Sequence, residues 1–386
     1  MEKRRGQGRC KVQGNRVKKW KLVIAAEAVL CLTAFAGILC DGETEKRGEA
    51  GAEGAQEGYV AESESWAQEA LSDGYIKWVD FNVSYEALCL AYEWDVNTWG
   101  EEVHIDWVEM LAYLGARYGG DFSSNEKRLA KDVAKLAEQL IGEGVTMDEL
   151  TKDMQYYAYY KEAYGAVLGG MVGEYEIEEA DESGNKVWKR VYGLKAFSPI
   201  ARGFEYTHYA DFGSSRSYGY KRQHLGHDMM GQIGTPIIAV ESGYVEAIGW
   251  NQYGGWRIGI RSFDGRRYYY YAHMRQNYPY AEGLKEGSIV TAGDVIGYMG
   301  HTGYSATENV NNIEVIHLHW GMQLIFDDSQ KDGSNQIWID VYPLTQFLYK
   351  HRSEVEKVED TREWRRVYGM KDPLAEAYRE AQDSEN

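Results

Sequence analysis

From about Tyr175 onward this 386-residue chain is a succession of short apolar runs broken by glycine, and that texture leaves few folds open. Pro236 to Val240, Gly243 to Gly249, Trp256 to Arg261, Tyr268 to Ala272, Ser288 to Thr291, Val295 to Met299 and His317 to Ile325 are short enough for strands and too short for packed helices. Asp264-Gly265, between two of these runs, is a hairpin turn. Residues 174–350 are therefore predicted to form an antiparallel β domain. Residues 71–173 carry a different pattern. Asp106 with Glu109, Ser123 with Glu126 and Thr146 with Glu149 have capping-box spacing, and Leu129, Val133, Leu136 and Leu140 recur at helical intervals before Gly142 and Gly144. A small helical domain is expected there, and a charged, helical tail over 351–386. The fold class is α+β.

The N-terminus adds a third texture. Residues 1–21 hold nine Lys or Arg, and the run Leu22 to Leu39 is apolar except for Glu27 and Thr33. About 18 apolar residues suffice to span a bilayer, and a basic flank stays cytoplasmic, so 22–39 is read as a single-pass signal-anchor with the rest of the chain outside. A signal cleaved after Ala34-Phe35-Ala36 is the alternative. Residues 40–70, rich in Glu, Gly, Ala and Ser, bury too little apolar surface to fold and form an acidic linker. The net charge of −18 argues against nucleic acid as a partner, because phosphate contacts require clustered cations. Of the four cysteines only Cys89 lies beyond the linker, so the folded part has no disulfide framework.

Two short pieces within the β region concentrate chemistry. His224-Leu225-Gly226-His227-Asp228 and His317-Leu318-His319 each place two polar side chains two or four positions apart, which strand alternation turns to one face. Two imidazoles and one carboxylate are the ligand mix of a catalytic zinc site, and the fourth side chain is left for chemistry.

Those pieces, with Gly234-Thr235-Pro236, Tyr271-Ala272-His273 and Gly297-Tyr298-Met299-Gly300-His301-Thr302-Gly303, stand in the order and context of the lysostaphin/LytM-type zinc metallopeptidases. The resemblance covers about Lys221 to Leu324. It implies a compact β domain with a groove, one zinc ion per chain, and endopeptidase activity on peptidoglycan peptides. It maps the metal ligands onto His224, Asp228 and His319, and the catalytic pair onto His273 and His317. An amide is a poor electrophile, so such a site needs the metal to polarise the carbonyl and acidify water. His317 and His273 can then relay the water's proton, steady the oxyanion or protonate the leaving amine, in either assignment.

Other residues carry weaker signals. His227 is expected on the opposite strand face from His224, and His301 at the groove rim or in a turn. His104, His208 and His351 lack ligand spacing. Glu93, Asp95, Glu101 and Glu102 are read as solvated helix ends, and the Trp and Tyr residues of 71–173 as packing. The stretch Phe204 to Lys221 is a candidate wall of the cleft. Thr307 to Ile316 inserts where the resembled family has a short connection, and such a loop can narrow substrate choice, close as a lid or accompany a binding role. The expected product is a membrane-anchored hydrolase at the surface of a Gram-positive cell. A non-hydrolytic scaffold or activator of cell-wall or sporulation machinery is the alternative, and the partner of the helical domain is open.

Overall fold

The computed structural model describes residues 75–217 and 221–385. The basic segment, the apolar run 22–39 and the linker 40–70 lie outside the described residues. No helix among the described residues is long and apolar enough to cross a membrane.

Five helices precede the strands: α1 (Tyr85–Thr98), α2 (Trp107–Tyr118), α3 (Glu126–Ala137), α4 (Met147–Thr151) and α5 (Tyr157–Leu168). Two more lie later in the chain: α6 (Tyr342–Leu348), between strands, and α7 (Pro373–Glu385), after the last strand. Asp106 caps α2 by accepting from the Glu109 amide at 2.9 Å, and Thr146 and Glu149 make the reciprocal box at α4. The third expected box fails. Ser123 donates instead to Asp121 at 2.9 Å, a carboxylate that also takes the Ser124 amide, and α3 starts after Asn125 without a side-chain cap. Leu129, Val133, Leu136 and Leu140 are all buried, as their spacing predicts.

The strands are β1 (Val172–Ala180), β2 (Lys186–Leu194), β3 (Thr207–Tyr209), β4 (Ser215–Ser217), β5 (Lys221–Gln223) and β6 (His227–Met230). β7 (Pro236–Ile238), β8 (Gly243–Asn251), β9 (Gly255–Ser262), β10 (Arg267–Ala272), β11 (Ile289–Val290) and β12 (Val295–Tyr298) come next. β13 (His317–Leu324), β14 (Ile337–Ile339), β15 (Val355–Lys357), β16 (Trp364–Arg366) and β17 (Met370–Lys371) complete the set. The main sheet runs β11-β8-β9-β10-β13-β6-β3, and β14 extends it beside the second half of β13. All of its pairings are antiparallel.

Alternation gives this sheet two unlike faces. Ile258, Ile260, Tyr269, Tyr271, Leu318 and Trp320 are fully buried on one side. Arg257, Arg261, Tyr268, Tyr270 and His319 line a groove on the other. The helices close the buried side, so residues 71–173 do not keep a core to themselves: one apolar cluster runs from Ile76 through the helices and strands to Leu348. Tyr92 of α1 meets Phe347 of α6 edge-on at 5.5 Å. Polar ties cross the same boundary. Arg267 is buried, pairs with Glu241 at 2.8 Å and donates to the Ala166 carbonyl of α5 at 2.7 Å. Removing either partner of that pair would strand a buried charge at a cost of about 3–5 kcal/mol.

The tail departs from its expected helical form. Helix begins only at Pro373; before it, β15 and β16 form a hairpin and β17 joins β1 at the edge of a three-stranded sheet. Glu363 explains why this charged segment docks, since its carboxylate is buried and accepts from the hydroxyls of Tyr298, at 2.8 Å, and Tyr278.

Candidate metal centre and its groove

β6 and β13 are neighbours, and their register sets His319 opposite Asp228. His224 arrives differently from the expected alternation. It lies ahead of β6, and a turn through Leu225 and Gly226 returns its ring to Asp228. Gly226 is required there because a Cβ would come within 2.6 Å of the His319 ring. One carboxylate oxygen, Asp228 Oδ1, then stands 3.0 Å from His224 Nε2 and 2.8 Å from His319 Nδ1, and the two ring nitrogens are 3.0 Å apart.

This donor set fits a small divalent cation. Two imidazole nitrogens facing one another across a shared carboxylate oxygen oppose their lone pairs unless a proton or a cation lies between them. Ligands about 2.0–2.1 Å from a tetrahedral zinc ion stand about 3.3 Å from one another, close to the spacing here. Burial pushes His319 toward its neutral, ligating form, against the pull of Asp228. Burial also opposes charge on Asp228, yet hydrogen bonds from His224 and His319 hold its carboxyl well below the usual carboxylate range.

Two further groups stand behind the ligands. Asp211 Oδ1 lies 2.7 Å from His224 Nδ1, an ion-pair distance without hydrogen-bond alignment, which sets a carboxylate behind the ring whose Nε2 faces Asp228. Arg216 bridges Asp211 Oδ2 at 2.7 Å and Asp228 Oδ2 at 3.2 Å, so only Oδ1 of Asp228 faces the two rings.

The two other histidines sit beside this cluster. His317, one alternation from His319 on β13, turns its Nδ1 to the Val315 carbonyl at 2.8 Å and its Nε2 toward Asp228 Oδ1 at 3.8 Å. His273 follows β10, where alternation would send it into the core with Tyr269 and Tyr271. A left-handed backbone, φ 63°, turns it into the groove instead. Its Nδ1 meets the Thr302 carbonyl at 2.9 Å, and its ring lies 4.7 Å from that of His317. Burial, with His317 and His319 nearby, pushes the His273 pKa well below the ordinary histidine value. Thr302 is held in turn by donating to the Met274 carbonyl at 2.6 Å, and Gly303, φ 123°, lets the turn pass against the Tyr253 carbonyl. All five histidine and aspartate side chains open onto one groove of about 1230 Å³.

The sequence profile described as Peptidase family M23 matches residues 222–335. The chain is 37% identical over 152 residues to an L-Ala–D-Glu endopeptidase of Bacillus subtilis (strain 168), a match covering 39% of this chain and 43% of that protein. It is 37% identical over 89 residues to lysostaphin of Staphylococcus simulans, covering 23% of this chain and 17% of that one. Against the solved catalytic domain of lysostaphin from Staphylococcus simulans it is 30% identical, covers 36% of this chain and 92% of that one, and superposes with a TM-score of 0.29. Residues 222–335 belong to peptidase family M23. The chain spans less than half the length of the two curated relatives.

Within the M23 domain the structure brings His224, Asp228, His273, His317 and His319 together and leaves other candidates outside. His227 points away from the groove, is buried and sits 2.8 Å from His208 Nδ1. His301 spends its Nδ1 on the Ile313 carbonyl at 2.6 Å, and His351 on that of Ala196 at 2.6 Å. Of the proposed cleft wall, Tyr209 and Arg216 line the groove, whereas Tyr206 packs on His208. Tyr218 and Tyr220 lie outside the described residues. Asp95 is not a solvated helix end: it is buried, accepting from Tyr192 at 2.7 Å and the Trp107 amide at 2.9 Å, with His104 at 3.2 Å. Four spacing-free supports were missed by sequence reasoning: Asp211, Arg216 and the carbonyls of Thr302 and Val315. The last belongs to the inserted loop. Asn309, φ 62°, pins that loop by accepting from Trp256 Nε1 and the Asn277 amide at 2.9 Å each. Its following residues Ile313 to Val315 make one rim of the groove.

Proposed function

We propose that the chain is a zinc endopeptidase that hydrolyses peptide bonds of bacterial peptidoglycan, tethered outside the cell by the apolar segment 22–39. The observation that carries this reading is the convergence of His224 Nε2 and His319 Nδ1 on Asp228 Oδ1 in a groove of about 1230 Å³. His224, Asp228 and His319 would hold one zinc ion. A bound zinc ion supplies Lewis acidity toward a scissile carbonyl and toward water.

The chain's own residues do the rest. His273 and His317 each tie Nδ1–H to a backbone carbonyl, so each presents Nε2 to the groove as a proton acceptor. Their adjacency lets one take a proton from water while the other, once protonated, gives one to the departing amine. The naming of the Bacillus subtilis and Staphylococcus simulans relatives as endopeptidase and lysostaphin supports peptidoglycan peptides as the substrate class. The scaffold alternative is disfavoured because no member of the five-residue constellation is replaced.

The test is a zymogram of the full chain on embedded peptidoglycan. Clearing that EDTA or His319→Ala abolishes is the expected result. Clearing that survives chelation would refute the metal assignment, and an inert, zinc-loaded protein would favour the scaffold.

A further inference from the structure

The groove is lined by five cations, in a chain whose net charge is −18, and three of them are already neutralised. Arg216 meets Asp211 and Asp228, Arg261 meets Glu246 at 2.5 Å, and Lys331 meets Asp328 at 2.8 Å. The other two, Arg222 and Arg257, pair with no carboxylate among the described residues. Arg222 lies 4.8 Å over the Tyr304 ring, donates to the Tyr304 hydroxyl, and keeps Nε buried without a partner. The Arg257 guanidinium makes no hydrogen bond to any described residue.

Both side chains line the same groove as Tyr270, and the Tyr304 ring under Arg222 lies 5.9 Å from that of His273. The sheet sets their place relative to the metal centre. β9 pairs with β10 through Ile258 and Tyr271, so Arg257 comes level with Ala272, which is itself opposite His319. Two strand spacings, about 10 Å, separate Arg257 from His319 along that row. An extended peptide advances about 3.3 Å per residue, which puts a group held at Arg257 within about three residues of the metal centre.

We propose that Arg222 and Arg257 form a carboxylate-binding subsite that selects acidic peptides in the groove. Guanidinium groups left without an internal counter-ion at the edge of a ligand groove match a planar carboxylate, which they hold by paired, charge-assisted hydrogen bonds. The proposal rests on the groove being a peptide site, and it adds which peptides the site prefers.

The test compares synthetic peptidoglycan stem peptides carrying free carboxylates with forms amidated at the side chains only or at the C-terminus only. KM is measured with the full zinc-loaded chain, and Kd with its His317→Ala variant. The free form should be preferred by about tenfold or more. Arg257→Gln and Arg222→Gln should each bring that ratio close to one with zinc content unchanged, and Arg257→Lys should restore part of it. The amidated position that abolishes the preference identifies the carboxylate as side-chain or terminal. Equal binding of the free and fully amidated peptides by the unaltered chain, or an unchanged ratio in Arg257→Gln, would overturn the subsite. If no peptide is cleaved but the binding preference holds, hydrolysis fails as the function and the subsite stands.

Discussion

Around strands β3, β6 and β13 two histidine pairs lie on opposite faces of the sheet, and they make a natural control for one another. On the groove face His224 Nε2 and His319 Nδ1 are 3.0 Å apart; on the back, His208 Nδ1 and His227 Nε2 are 2.8 Å apart. The spacing is nearly the same and the surroundings differ. The front pair shares Asp228 and is braced by Asp211 and Arg216. The back pair has no carboxylate bonded to either ring and lies against Tyr342, with ring centroids 5.1 and 5.3 Å away. Burial and the neighbouring His208 push His227 down to about 3, so it stays neutral and one ring simply donates to the other. Two close imidazoles therefore do not make a metal site. The front pair adds a buried carboxylate aimed between the rings and an opening to solvent, the features of a candidate metal site.

The largest effect separating the pairs should be metal content. The purified chain is expected to hold one zinc ion, His319→Ala to hold almost none, and His227→Asn to keep it, as read by atomic absorption. If His227→Asn emptied the protein while His319→Ala did not, the assignment of faces would be reversed. Next come the two histidines that flank the centre without belonging to its ligand triad. His273→Ala and His317→Ala should retain zinc yet lose about 10²–10⁴ in kcat on a peptide substrate. Loss of zinc in either variant would make that residue a ligand instead. A smaller effect is expected at the brace behind His224. Asp211→Asn should weaken zinc binding about 10–100-fold in a competitive chelator titration, with the fold intact by circular dichroism. The smallest concerns the back pair, where His227→Ala should cost about 1–3 kcal/mol of stability in urea and leave turnover in place.

Much of the site was legible because its residues obey local rules. His317 and His319 share a face by simple alternation, His227 is turned away by the same rule, and the glycine-broken runs require short strands. The misses each involve a non-local contact. Asp211 approaches His224 through the return of the β4–β5 hairpin, and buried Asp95 accepts from Tyr192, far along the chain, as well as from the Trp107 amide. The tail shows the same limit. Its charges suggested a solvated helix, but Glu363 finds two tyrosine hydroxyls on the β domain and the segment before Pro373 docks as strands.

By itself, then, the sequence determined the class of the β region, the five residues that meet in the groove and the family they belong to. Side-chain period and residue chemistry are enough for the strands and for the histidines and aspartate of the two short pieces, whereas His273 and the family came from the resemblance of the ordered motifs. The tertiary structure alone decided how those residues meet. His224 comes in by a turn that only Gly226 permits, and His273 by a left-handed residue that breaks the alternation. The helices share the core of the sheet rather than standing apart, because the sheet's buried face requires a cover and α1 and α5 carry the apolar surface to provide it. Which cations remain unpaired in the groove also depends on distances between strands, and no spacing along the chain encodes them.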